Sequence, residues 1–172
     1  MAEEIWMLQT KRADFGAIAE RFGIDPVTAR VIRNRGIEGM ENIERYLFGN
    51  LDGLYSPWLL KDMKPAVEIL RQKITAGKRI RIVGDYDIDG VCSTYILYTA
   101  LRRLGAEADY AIPDRIKDGY GINESIIREA HEDGIDTILT CDNGISAFSQ
   151  ISLAKEFGMT VIVTDHHEVP LD

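Results

Sequence analysis

From residue 79 onward the sequence predicts an α/β fold, a doubly wound parallel sheet with flanking helices, preceded by a small helical N-terminal segment. Three observations predict it. Short apolar runs alternate with stretches of helical period, which implies β-α-β crossovers and parallel strands. The helical stretches end at Gly105, Gly134 and Gly158, the residue type that best stops a helix. Finally, carboxylates and imidazoles collect directly after three of the four apolar runs, at the edge where such sheets bind ligands.

The elements follow in order. Asp14 to Phe22 has apolar residues at helical spacing, and Gly23 stops it. Asp25-Pro26 puts a capping residue before a proline and opens a helix over Val27 to Arg35, closed by Gly36. Glu41 to Phe48 is a third helix. Leu51 to Leu60, with Gly53 and Pro57, reads as a loop anchored by Tyr55 and Trp58, and Lys64 to Thr75 as a helix closing at Gly77. This sets an expected boundary: a helical segment over 1–77 and an α/β catalytic domain over 78–172. Within the second part the strands are Arg79 to Val83, Ala108 to Ile112, Asp136 to Thr140 and Met159 to Thr164. The helices are Val91 to Leu104, Asn123 to Glu132 and Ile145 to Phe157. If the strand order is 2-1-3-4, the first and third strands meet at the switch point and their acidic clusters face each other.

The bulk properties narrow the class. The 172 residues are 45% hydrophobic and 28% charged, enough for one sizeable core and too regular for disorder. No apolar run approaches the roughly 18 residues of a membrane span. The start, Met1-Ala2-Glu3-Glu4-Ile5, has neither the basic nor the apolar region of a secretory leader. Cys92 and Cys141 sit in apolar stretches, which suits a reducing cytoplasm. A net charge of −8 weighs against an extensive basic surface for nucleic acid. A metal centre built from acids accounts for part of that charge, however, and bound cations would offset it locally.

The chemistry is concentrated in Asp85-Tyr86-Asp87-Ile88-Asp89-Gly90, Thr140-Cys141-Asp142-Asn143-Gly144 and Asp165-His166-His167. A single aspartate after a strand is commonly a helix cap. Five at one edge repel one another unless cations neutralise them. Carboxylate with imidazole suits Mn²⁺ or Mg²⁺ better than a thiolate-preferring metal. Two such ions about 4 Å apart activate water and stabilise a leaving oxygen. Other motifs fit less well. An EF-hand requires glutamate where this chain has Ile96, and no Gly-rich nucleotide loop with its lysine is present. Asp87-Ile88-Asp89-Gly90-Val91 resembles the start of haloacid-dehalogenase-like phosphatases, with Asp87 as nucleophile, Asp89 as acid and Thr140 as second motif. That alternative leaves Asp85 and Asp165-His166-His167 without roles.

Together the motifs resemble the DHH phosphoesterase superfamily. Val83 to Gly90 is similar to its first motif, Asp142-Asn143-Gly144 to its second, and Asp165-His166-His167 to the motif that names it. Asn34-Arg35-Gly36-Ile37, Pro57 to Met63, Pro113-Asp114-Arg115 and Gly119-Tyr120-Gly121 resemble the RecJ-type branch of single-strand-specific 5′→3′ DNA exonucleases. The resemblance implies Asp87, Asp89, Asp142 and His166 as ligands of two Mn²⁺ or Mg²⁺ ions, with Asp142 bridging and Asp85 a further ligand. It implies His167 acting at the phosphate and Asp165 orienting an imidazole. Arg115 is a candidate phosphate contact, and the implied partners are single-stranded DNA and repair or replication proteins. The family's fourth motif and second domain lie beyond Asp172, so the expectation is an N-terminal portion, truncated before its fourth motif, that folds but cleaves poorly. Two further alternatives keep the resemblance: a phosphodiesterase of oligoribonucleotides, cyclic dinucleotides or pyrophosphate, and a non-catalytic replication-assembly module.

Overall fold

The structure, a computed structural model, describes residues 11–117 and 119–170. The N-terminal run read against a secretory leader lies outside the described residues. The chain divides into two compact units, Met1–Leu59 and Leu60–Asp172.

The first unit holds α1 (Phe15–Phe22), α2 (Pro26–Asn34) and α3 (Met40–Phe48), followed by two short 3-10 turns, Leu51–Gly53 and Pro57–Leu59. Asp14 caps α1 by accepting from Ala17 N–H, and Asp25 caps α2 by accepting from Val27 and Thr28. Such caps satisfy amide donors that a helix start leaves without intrahelical partners. Ile18, Ala29, Ile32 and Ile43 form the buried core of this unit.

The second unit opens with α4 (Met63–Thr75) and continues through β1 (Ile80–Val83), α5 (Ile88–Arg103), β2 (Ala108–Ala111), α6 (Glu124–Glu132), β3 (Thr137–Cys141), α7 (Phe148–Glu156) and β4 (Thr160–Thr164). The sheet order is β2-β1-β3-β4 and every pairing is parallel. This is the order on which the expected convergence of the acidic clusters depended.

Strand alternation sends the core to both faces. Ile80 and Ile82 of β1 join Leu139 and Cys141 of β3 on the face covered by α5 residues Leu97, Tyr98 and Leu101. Val83 and Ile138 point to the other face, against Ile126, Ile127 and Ala130 of α6 and Ala154 of α7. Each fully buried isoleucine here contributes about 2 kcal/mol of apolar burial.

Three expectations shift. The first concerns α4, which a boundary near residue 77 assigns to the N-terminal segment. Ala66, Ile69, Leu70 and Ile74 of that helix pack against the core beneath β1 and β3. Its apolar face is completed by the sheet, so the compact units part at Leu59 and Leu60 instead. Second, α5 starts at Ile88 rather than Val91, because Asp87 accepts from Gly90 N–H at 2.9 Å and caps the helix earlier. Third, α7 starts at Phe148 rather than Ile145. The Ile145 amide is engaged by Asp165 Oδ2 at 2.9 Å, so residues 143–147 turn around the site before the helix begins.

Candidate metal centre

The carboxyl edge of the sheet gathers four segments, and the backbone explains how each is presented. After β1 the chain turns sharply, so that Asp85 is buried beneath the first turn of α5. Gly90 makes that possible: a Cβ there would lie 2.5 Å from the Asp85 carbonyl oxygen and 2.6 Å from its nitrogen. Only a residue without a side chain lets the helix start sit on the strand end this closely. Asp87 and Asp89 are then exposed at the N-terminus of α5, where the helix dipole favours negative charge. The Gly90 amide bond outweighs burial and holds the Asp87 carboxyl below its ordinary value.

Asp142 follows β3 in a left-handed conformation, φ 62°, which is costly for a residue with a Cβ. Its amide donates to Thr164 O at 3.1 Å, which locks the turn to the end of β4. The residue is 8% exposed, and both carboxylate oxygens are buried without a hydrogen-bond donor. His166 Nε2 lies 2.8 Å from Asp142 Oδ1 but without hydrogen-bond alignment, so the two ligand atoms converge without bonding to each other. Burial raises the Asp142 carboxyl above its ordinary value, and the facing charge of Asp87 raises it further.

Asp165 organises the last segment. Its Oδ1 accepts from the His166 amide at 2.8 Å and the His167 amide at 3.1 Å, and stands 2.7 Å from His167 Nδ1. Its Oδ2 takes the Ile145 amide. Burial opposes ionisation, but these donors outweigh it and place the Asp165 carboxyl below its usual range. The imidazole it orients is that of His167, whose own pKa is raised chiefly by this bond. The other nitrogen of His167 lies 3.2 Å from the Tyr120 hydroxyl.

Ligand atoms of Asp142, His166 and His167 all lie within 4.8 Å of one another. Both ring nitrogens of His167 already have partners, which leaves Asp142 and His166 as the free donors of the three. Asp89 lines an open depression of about 520 Å³ with Asp142, Asp165 and His166, walled on one side by Ile96 and Leu97. Asp85 lies beneath the start of α5 at the same edge. It is fully buried, with Oδ1 accepting from Gly121 N–H at 3.3 Å and Oδ2 without a partner. Among the described residues no carboxylate pairs with Arg115, whose guanidinium carbon sits 5.3 Å from the Tyr86 ring centroid.

A divalent cation fits these residues. Buried carboxylate oxygens lacking any donor carry a desolvation cost that a bound cation removes. The set of carboxylate oxygens and one imidazole nitrogen matches the preferences of Mn²⁺ and Mg²⁺.

Two contributors escaped the sequence reading. Asn143 is 1% exposed and donates to Val83 O at 3.0 Å and Cys141 O at 2.9 Å while accepting from Ile122 N–H at 3.1 Å. It staples the β1 and β3 ends to the segment carrying Tyr120. Tyr120 itself reads in sequence as part of a turn, and its flanking Gly119 and Gly121 were the available signal.

Comparison with known proteins agrees with the geometry. Residues 79–172 match the DHH family, N-terminal domain. The single-stranded-DNA-specific exonuclease RecJ of Bacillus subtilis (strain 168) is 39% identical over 164 residues, covering 95% of this chain and 21% of that protein. Its counterpart in Escherichia coli (strain K12) is 40% identical over 146 residues, or 84% of this chain and 24% of that protein. A crystal structure of exonuclease RecJ bound to manganese superposes with a TM-score of 0.64 at 38% identity, over 69% of this chain and 31% of that one. A second, of RecJ in complex with Mn²⁺ from Thermus thermophilus, gives 0.62 at 30% identity, over 92% and 22%. The chain thus spans about a fifth to a quarter of the length of the curated relatives it matches. Motif order, sheet order and these likenesses agree: the chain belongs to the DHH family.

Proposed function

We propose that this chain carries the metal-binding half of a phosphodiesterase centre, and that the protein it represents is a 5′→3′ exonuclease of single-stranded DNA serving repair and recombination. The observation that carries the reading is the buried Asp142 carboxylate, both oxygens without a donor, facing His166 at the carboxyl edge. Asp87, Asp89, Asp142 and His166 would hold Mn²⁺ or Mg²⁺. Bound there, such ions supply an activated water and charge stabilisation at the phosphate.

The chain's own residues do the rest. Asp165 holds the His167 ring at Nδ1, so the imidazole would reach a phosphate oxygen through Nε2, in exchange for its contact with the Tyr120 hydroxyl. Asp85, wholly buried with one oxygen taken by Gly121 and the other without a partner, would be a further ligand from beneath the same edge. Arg115, resting on Tyr86, would contact a backbone phosphate through its guanidinium. Digestion from the 5′ end rests on the resemblance of the motifs to the RecJ-type branch, since no described residue reads a strand end. Free Cys92 and Cys141 suit action in the cytoplasm. No helix among the described residues is long and apolar enough to cross a membrane.

Mn²⁺ titration calorimetry of the chain and of Asp142→Asn, with cleavage of 5′-labelled single strands followed on the same samples, tests the reading. Binding by the chain that is lost in the variant supports it. Absence of binding by the unaltered chain would refute it.

A further inference from the structure

Residues 119–122, between β2 and α6, are tied to the carboxyl edge at three successive positions. The Tyr120 hydroxyl donates to Asp142 O at 3.0 Å. The Gly121 amide donates to Asp85 Oδ1 at 3.3 Å, and the Ile122 amide to Asn143 Oδ1 at 3.1 Å. Gly121 adopts φ 70° and passes so near Asn143 that a Cβ would lie 3.2 Å from the Asn143 Cβ. Two buried side chains from two strand ends therefore fix the strap that presents Tyr120.

The tyrosine is 52% exposed, so water could hydrate its hydroxyl at little cost. Instead the hydroxyl meets two groups of the site, the Asp142 carbonyl and His167 Nε2 at 3.2 Å. Its ring stands edge-on to His167, with centroids 5.8 Å apart, and edge-on to Tyr86 at 6.2 Å. Given to the Asp142 carbonyl, the single proton of the hydroxyl leaves its oxygen to meet His167 Nε2. Held by Asp165 at one nitrogen and Tyr120 at the other, the imidazole cannot flip without breaking both contacts.

We propose that Tyr120 is a positioning residue whose hydroxyl ties the Asp142 backbone to the His167 ring and so keeps that ring in register with the buried carboxylate. The proposal rests on the phosphodiesterase reading for its purpose, but its geometry is independent of metal.

Long-range ¹⁵N–¹H spectra of the histidine rings test it, recorded on the unaltered 172-residue chain, Tyr120→Phe and Tyr86→Phe. In Tyr120→Phe the His167 Nε2 resonance is expected to shift and broaden. His131, stacked on Phe157 at 4.4 Å far along the chain, should stay in place and report an intact fold. Tyr86→Phe keeps the ring contact and should leave the His167 signals where they were. Coincident His167 signals in Tyr120→Phe and the unaltered chain would overturn the proposal. An equal shift in Tyr86→Phe would do the same, since loss of a hydroxyl that does not touch His167 would then move the ring as much as loss of the Tyr120 hydroxyl. Mn²⁺ affinity in Tyr120→Phe should hold within about twofold; a larger loss would assign the hydroxyl to the metal ligands and overturn it. Failure of the unaltered chain to bind Mn²⁺ would refute the phosphodiesterase reading alone, because the ring comparison still decides the role of Tyr120.

Discussion

The two edges of the sheet use the same residue type in opposite ways. At the amino edge every aspartate has a permanent cation. Arg81, nearly buried, reaches Asp109 Oδ2 and Asp133 Oδ2, both at 2.8 Å. Arg79 adds contacts to Glu107 and Asp109 and donates to the Asp133 carbonyl, and Lys73 lies 2.5 Å from Asp136. At the carboxyl edge, among the described residues, no lysine or arginine pairs with Asp85, Asp87, Asp89, Asp142 or Asp165; Asp142 and Asp165 have only histidine nitrogens within reach. Aspartates matched by lysine or arginine serve the fold. Aspartates brought together and left unmatched are those proposed to take a cation from outside, and on that proposal the contrast separates structural from functional acid within one sheet.

The comparison is broken most forcefully at Asp142. Asp142→Asn keeps a side chain that tolerates the left-handed turn but removes the charge, and Mn²⁺ affinity should fall at least about 100-fold. The metal-free variant should melt no lower than the unaltered chain, since a raised, repelled carboxylate is lost; thermal unfolding without metal checks this. Next, Mn²⁺ at about a hundred times its dissociation constant should stabilise the unaltered chain by about 2.7 kcal/mol and Asp142→Asn by no more than about 0.4 kcal/mol, measured by denaturant unfolding. At the other edge, Arg81→Met should cost about 2 kcal/mol of stability by stranding Asp109 and Asp133, while Mn²⁺ affinity stays unchanged.

The smallest expected effect is at Lys73. Burial is the largest single influence on Asp136 and opposes its ionisation, but the bonds from Lys73 and Thr137 and the charges of Lys73 and Lys78 together outweigh it and lower the carboxyl below its ordinary value of 3.8. A lowered folded-state pKa gives stability that is present above the unfolded value and disappears as pH falls through the folded one. Lys73→Met should therefore cost about 1 kcal/mol at neutral pH, and the difference should vanish in acid, as unfolding curves across pH would show.

Much of this contrast could be read from the sequence. The alternation of apolar runs and helical stretches predicted the four strands, and the acid clusters after three of them marked the active edge because side chains beyond a strand end converge in a parallel sheet. The boundary near residue 77 went astray because the apolar spacing of Ala66, Ile69, Leu70 and Ile74 shows that α4 has a packing face, not which core completes it. The starts of α5 and α7 depend on individual hydrogen bonds from Asp87 and to Asp165, which local propensity does not register. Tyr120 was invisible for a different reason. Its partners, Asp142 and His167, lie 22 and 47 residues further along, and no local pattern encodes a contact of that span.

The all-parallel order of the sheet also has a kinetic consequence. No pair of neighbouring strands is joined by a hairpin, so each pairing waits for a complete crossover to close a long loop. Asp142 and His166 sit after the third and fourth strands, and their approach to Asp87 requires β1, β3 and β4 to be docked side by side. Tight Mn²⁺ binding should thus be among the last properties acquired during refolding, later than helix formation and later than burial of Ile80 and Ile82. In a stopped-flow experiment the metal would act as a clock for the final docking step, a signal that partly ordered chains could not produce.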